Sequence, residues 1–199
     1  MKPPFVAGSA PDHRKADAAP PKPISAPWLE RAALHYLERY SASTEMLRRT
    51  LARRVEKRAR LRGEDPAGFA EMIAATVARA VSAGLVDDAR FADMRLATLR
   101  RRGTSSRGVS AKLAAKGVPR DVVEAAMQAE REAVPEEEAA AIEDQAAQAY
   151  AKRRRLGPYR RPDQREAYRD RDLAALARAG FSYGLARRVV DAEVEEEPR

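Results

Sequence analysis

A chain of 199 residues with 38 Lys and Arg against 30 Asp and Glu is long enough for one or two domains or a short array, and its net charge of +8 favours an anionic partner. It has no cysteine, which excludes disulfides, thiolate zinc sites and cysteine nucleophiles. No apolar run approaches the roughly 18 residues of a bilayer span, and residues 1–27 lack the apolar core of about 7–15 residues that a signal peptide needs, so a soluble cytoplasmic protein with no membrane association is expected.

Residues 1–27 contain seven prolines and few large apolar side chains. Such a stretch cannot bury enough surface to offset its chain entropy, which predicts a disordered arm. From Trp28 onward Leu29, Ala32, Ala33, Tyr36, Leu37 and Tyr40 recur at helical spacing. Ser43 is a candidate N-cap for a second helix through Leu47, Leu51 and Val55, which Gly63 and Pro66 end. Phe69, Met72, Ile73, Thr76, Val77, Ala80 and Val81 form the clearest amphipathic stripe, stopped by Gly84. Asp88 is expected to cap a helix that buries Phe91, Met94, Leu96 and Leu99 and ends at Gly103. Thr104, Ser105 and Ser106 offer caps for the next helix, Gly117 suits its C-terminal stop, and Pro119 suits the first turn of the one after. Pro135 is a break, followed by a helix with Ile142, Ala146, Ala149 and Tyr150. After Gly157-Pro158, a helix over 170–179 ends at Gly180, and Ser182 caps the last one.

One pattern returns. Leu113-Ala114-Ala115-Lys116-Gly117-Val118 matches Leu176-Ala177-Arg178-Ala179-Gly180-Phe181, and Val122, Val123, Ala126 and Met127 match Leu185, Ala186, Val189 and Val190, all at a spacing of 63 residues. No segment alternates as a strand does. The expected fold is therefore all-α, a tandem array of three-helix units at 28–86, 87–134 and 135–194, with a short acidic tail at 195–199. The first unit is the most divergent: Leu51 matches Leu113, but Val55 falls where Gly117 stands. The third carries an insertion around 153–168.

Charge is distributed in blocks. Residues 48–62 hold eight basic side chains and one acid, Glu56; residues 95–120 hold eight and no acid; Lys152, Arg153, Arg154, Arg155, Arg160 and Arg161 crowd into ten residues with no acid. Such blocks suit phosphates. The middle block supplies the candidate site: Arg100, Arg101, Arg102, Arg107, Lys112 and Lys116. There is no Gly-rich phosphate loop, no H-E-x-x-H and no second acidic pair to complete a metal site with Asp87-Asp88, which read better as helix-capping residues. Neither a catalytic residue, a metal nor a cofactor is expected. His13 lies in the arm and His35 stands alone on the first helix. Trp28 reads as a packing anchor. Tyr159 and Tyr168 flank arginines and could stack on bases, although packing is the simpler role.

The run Gly84-Leu85-Val86-Asp87-Asp88-Ala89-Arg90-Phe91-Ala92 resembles the glycine–aliphatic–Asp-Asp–x-x–Phe-Ala signature of the RecX regulatory proteins, modulators of the RecA recombinase. Arg100–Gly103, Ser106-Arg107-Gly108 and Leu113–Val118 continue the likeness, which covers about 30–194. Val86 stands where that family more usually has an aromatic residue or leucine, and the third unit diverges. The resemblance implies three-helix units in an elongated, curved arrangement. It also implies binding along the groove of the RecA–single-stranded DNA filament, with duplex DNA as a further ligand. The implied outcome is inhibition of strand exchange, of ATP hydrolysis by RecA and of its coprotease role in the SOS response. A monomer is expected. The alternative is a stand-alone nucleic-acid-binding protein that uses its units as helix-turn-helix domains do, with Arg107, Ser110 and Lys112 offered by the 107–116 helix.

Overall fold

The computed structural model describes residues 21–193, so the arm up to residue 20 and the acidic tail at 195–199 lie outside the described residues. Among the described residues nine α-helices follow one another: α1 (Ala26–Leu37), α2 (Thr44–Arg62), α3 (Ala70–Ser82), α4 (Asp88–Arg101), α5 (Ser106–Ala115), α6 (Arg120–Glu132), α7 (Glu136–Arg154), α8 (Arg165–Arg178) and α9 (Tyr183–Val190). Short 3-10 turns occupy Pro66–Phe69, Gly157–Tyr159 and Pro162–Gln164, and there is no strand among the described residues. The fold is all-α and built from three-helix units.

Each unit has its own small core. Leu29, Leu47, Leu51, Val55 and Val77 are buried in the first, with Ile24 from the end of the arm and Trp28 packed against them. Phe91, Leu96, Leu99, Val109, Leu113 and Val123 fill the second. Ala147, Leu173, Leu176, Phe181, Leu185 and Val189 fill the third. Trp28 is the anchor its position suggested, and the Arg58 guanidinium lies 4.5 Å over its ring. Met94 differs from expectation: it is half exposed, because the apolar stripe of α4 passes through Phe91, Ala92, Leu96 and Leu99 and leaves it on the outer edge.

The serine caps form as their positions predict. Ser43 accepts from the Met46 N–H, Ser105 from the Gly108 N–H and Ser182 from the Leu185 N–H. At α4 the cap is Asp87, not Asp88: the Asp87 carboxylate accepts the Arg90 N–H at 3.0 Å. Asp88, one residue on, faces away from its own helix end and accepts the N–H of Thr44, at the start of α2, at 2.7 Å.

That contact belongs to a joint that the chain makes twice. Ser43, at the head of α2, donates its hydroxyl to the carbonyl of Lys116 at the end of α5. Ser105, at the head of α5, donates to the carbonyl of Ala179 at the end of α8, at 2.6 Å. The next amide along is covered by a carboxylate of the following unit: Asp88 takes Thr44 N–H, and Glu143 takes Ser106 N–H at 3.1 Å. Asp88 and Glu143 occupy the same place, three residues before the buried pairs Phe91-Ala92 and Ala146-Ala147. The glycines that end α5 and α8 complete the joint. Gly117 and Gly180 have φ of 75° and 94°, and a Cβ on either would meet the neighbouring unit, at 2.2 Å from Glu45 Cγ or 2.7 Å from Ser105 Oγ.

The end units depart from this pattern. In the first unit the residue three before its buried pair Ala32-Ala33 is Leu29, and in the third unit Tyr168 stands where Ser105 stands in the second. The mismatch of Val55 with Gly117 has a simple cause. Helix α2 runs about two turns longer than α5, and Gly63, at φ 69°, is the counterpart of Gly117.

Replacing Asp88 by Ala is expected to cost about 1–3 kcal/mol, because the Thr44 N–H loses its acceptor in a partly covered site. Asp88→Asn should restore most of that through the amide oxygen, whereas Asp87→Ala should cost about 0.5–2 kcal/mol as an ordinary cap loss. Urea unfolding of the three variants separates these effects; an Asp88→Ala protein as stable as the parent would show that the inter-unit bond contributes nothing.

Candidate nucleic-acid interface

The six cations of the middle unit do not form one face. Helix α5 holds its N-terminus at the joint with the third unit and its C-terminus at the joint with the first. Its nine-residue span from Arg107 to Lys116 therefore separates those two by roughly 14 Å along the axis. The stem of Arg107 lies beside Gly180, with its Cβ 3.3 Å from the place a Cβ at 180 would take. Lys116 lies in a groove with Met46, Met94 and Arg95. Lys112 is exposed, with its Nζ 3.4 Å from Thr104 Oγ1.

Arg100 is not available to a ligand. Its guanidinium donates to Glu130 at 2.9 Å, to Glu143 at 3.1 Å, to Ser106 Oγ at 2.9 Å and to the Thr104 carbonyl at 3.3 Å, and its side chain is only 12 % exposed. The acids that neutralise it come from α6 and α7, far along the chain, so a block without local acids still acquires partners on folding. Arg100 is a structural cation of the second joint. Ser110 is likewise engaged: its hydroxyl lies 3.2 Å from the Ser106 carbonyl and 3.4 Å from the Met127 sulfur, and it faces α6. It is not placed to read a base.

Arg101 and Arg102 are exposed, and neither forms an ion pair among the described residues. They immediately precede Gly103, whose backbone lies against the Ala146–Tyr150 turn of α7. One turn further along α7 stand Arg153 and Arg154, 5.8 and 5.9 Å from the Tyr150 ring centre, exposed and also without ion pairs among the described residues. Folding thus joins the middle basic block to the third one around a single contact. The acid-free run at 152–161 signalled these arginines, but nothing in the sequence placed them beside Arg101 and Arg102.

Other cations of these blocks serve the fold. Arg160 donates to the buried carboxylate of Asp172 at 2.6 and 3.0 Å and lies 4.5 Å from the Tyr168 ring centre, and Arg171 lies 5.9 Å from the same ring centre. The hydrogen bond from Asp172 raises the Arg160 pKa further. Two guanidinium groups thus lie close to the Tyr168 ring. In the first unit Arg48 and Arg49 both pair with Glu45, whose carboxyl Arg48 in the first place holds down to about 2, and Arg60 and Arg62 pair with Glu56 and Glu64. Of the remaining cations of that block, Arg54 and Arg58 are partly buried and Arg58 lies over Trp28, so only Arg53 and Lys57 are both exposed and without an ion pair among the described residues, against four in Arg101, Arg102, Arg153 and Arg154. Exposed charges without local partners project their field into solvent and draw anions from a distance set by the salt concentration. No three His, Asp or Glu side chains come together as metal ligands would among the described residues. No helix among them is long and apolar enough to cross a membrane.

A family model described as "RecX, second three-helix domain" matches residues 87–127, the segment that contains α4, α5 and most of α6. The regulatory protein RecX of Myxococcus xanthus (strain DK1622) is 42% identical over 188 residues, which cover 93% of this chain and 96% of that protein. The regulatory protein RecX of Agrobacterium fabrum (strain C58) is 29% identical over 182 residues, 92% of each chain. No solved structure matches this chain.

Proposed function

The chain belongs to the RecX family of regulatory proteins, and from that premise we propose that it binds the RecA recombinase on single-stranded DNA and inhibits it. In this reading it acts in the cytoplasm as a monomer and by binding alone. It lowers strand exchange, ATP hydrolysis and coprotease activity, and so tempers DNA repair and the SOS response. Three units, at 28–86, 87–134 and 135–194, lie along the filament groove. The DNA strand is met by Arg101, Arg102, Arg107 and Lys112, joined by Arg153 and Arg154; Arg100 holds the joint behind them, and Lys116, in the groove at the first joint, faces the recombinase itself. The observation that supports this most directly is the set of exposed arginines around the Gly103–Tyr150 contact that form no ion pair among the described residues. Phosphate contacts need cations of this kind, and they contribute through counterion release, not base readout.

The test is the combined variant Arg101→Ala, Arg102→Ala, Lys112→Ala, which leaves every buried side chain in place. Binding to a single-stranded oligonucleotide should weaken, and its log–log salt slope should flatten by about 0.7 for each phosphate contact removed. Inhibition of RecA ATPase should fall in parallel at two salt concentrations while the circular dichroism spectrum stays that of the parent. Unchanged inhibition with an unchanged slope would move the DNA contact elsewhere. Binding of the parent to naked DNA but not to RecA filaments would favour the stand-alone nucleic-acid reading.

A further inference from the structure

The two joints share one design, but only one of them is filled. At the second joint the loop before α5 sits so tightly on α7 that a Cβ at Gly103 would lie 2.3 Å from Tyr150 N and 2.7 Å from Ala146 O. The corresponding residues of the first joint are Ser41 and, on α4, Phe91 and Arg95. There Ser41 is exposed, and a groove of about 300 Å³ opens with Met46, Phe91, Met94, Arg95 and Lys116 on its walls. It continues past Ser41, Phe91 and Met94 into a hollow of about 410 Å³ bordered by Tyr40 and Leu85.

Three large apolar side chains stand open along this path: Tyr40 is 58%, Met94 50% and Leu85 47% exposed. Single exposed apolar residues are ordinary, but a contiguous run in a concave site marks a contact surface. The edge is cationic. Arg90, Arg95 and Lys116 border it, and none forms an ion pair among the described residues, while the one acid on the path, Asp87, is committed to the Arg90 N–H of its own helix.

We propose that this groove at the first joint is a docking site for an acidic, apolar segment of a partner protein. A bulky apolar side chain of that segment seats between Met46, Phe91 and Met94, and carboxylates beside it meet Arg90, Arg95 and Lys116. A peptide fits better than a nucleic-acid strand. Thioether side chains adapt to an inserted side chain, whereas unstacked bases call for open aromatic platforms. The exposed ring here, Tyr40, is already tilted against Tyr36 at 5.3 Å. The proposal rests on the filament reading above and deepens it: the first joint touches the recombinase protein, and the cations around the second joint touch its DNA.

The experiment uses the full chain and the variants Met94→Glu, Leu85→Glu and Met94→Leu. Each is assayed for binding to RecA filaments on single-stranded DNA and, separately, to the same oligonucleotide without RecA. Met94→Glu should weaken filament binding by about tenfold or more, as loss of a central apolar anchor does, with free-oligonucleotide binding changed less than about twofold and Met94→Leu near the parent. Circular dichroism checks that Met94→Glu folds; if it does not, Leu85→Glu, in the exposed turn before α4, carries the same expectation. Filament binding equal to the parent's in the folded glutamate variants overturns the proposal, as does an equal loss of binding to filament and free oligonucleotide, which would make the groove a nucleic-acid surface. If the parent itself does not bind RecA filaments, the filament reading fails and this proposal falls with it.

Discussion

Replacing Asp172 by Ala is expected to cost about 3–5 kcal/mol and to unfold the third unit ahead of the other two. Asp172 is 1% exposed and lies where the second unit has the buried Val109. Its carboxylate is satisfied by a loop that the second unit lacks: Arg160 donates to it twice, and Gly157 N–H donates at 2.8 Å. Removing the carboxylate leaves a half-buried guanidinium and a buried N–H without an acceptor, which is more damaging than losing the pair together. The double variant Asp172→Val, Arg160→Met should recover more than half of the loss, since it restores the apolar character that position has in the second unit. Units in an array unfold in part independently, so two probes are needed. The single tryptophan, Trp28, reports on the first unit, and far-ultraviolet circular dichroism reports on all the helices. In Asp172→Ala part of the helical signal should be lost at lower urea than the Trp28 fluorescence change. Coincident transitions at the parent's midpoint would show that the loop and Asp172 do not hold the third unit together.

Gly103→Ala should be nearly as damaging, and Gly63→Ala should not. Both glycines have left-handed backbones, at φ 68° and 69°, so both substitutions carry the steric cost of that conformation, about 1–2 kcal/mol. They differ in what surrounds them. A Cβ at Gly63 meets nothing within 4 Å, whereas at Gly103 it meets the backbone of α7 at 2.3 Å. Backbone cannot rotate aside as a side chain can, so α7 must move away from α4. Overpacking of this kind adds about 1–3 kcal/mol and brings Gly103→Ala to about 2–5 kcal/mol in all. Because this contact sets Arg101 and Arg102, just before Gly103, relative to Arg153 and Arg154, one turn beyond Tyr150, the same variant should weaken oligonucleotide binding even where it remains folded. Equal thermal midpoints for the two variants would rule out the close approach as the cause.

The helices were legible from periodicity and punctuation because those signals are local. Ser43, Ser105 and Ser182 cap helices where their positions said they would, and Gly63, Gly84, Gly103, Gly117 and Gly180 all end helices with positive φ. The repeat was legible too, since Leu113–Val118 and Leu176–Phe181 close their helices with the same pair of backbone bonds. What escaped were relations between distant residues. Asp87 and Asp88 are adjacent and chemically alike, so only the geometry of α2 decides that one caps and the other crosses to Thr44. Arg100 looked free because its partners, Glu130 and Glu143, belong to other helices. Asp172 sits on a helix of mixed charge, and its burial depends on the inserted loop that brings Arg160 to it. At the candidate site the exposed arginines were visible in the sequence as types, but their grouping around Gly103 depends on how two units meet.

The joint has a consequence for how such a chain can lengthen. The middle unit carries both of its halves: Ser105 and Ser106 N–H to offer forward, and Asp88, the Lys116 carbonyl and Gly117 to receive from behind. A second copy of that unit inserted in tandem would meet the original through chemistry the chain already contains. The outer units cannot be extended in that way. Leu29 presents no carboxylate to an earlier neighbour, and Tyr168 presents no helix-capping hydroxyl to a later one. The count of units is thus written into the two ends, while the middle is free to multiply.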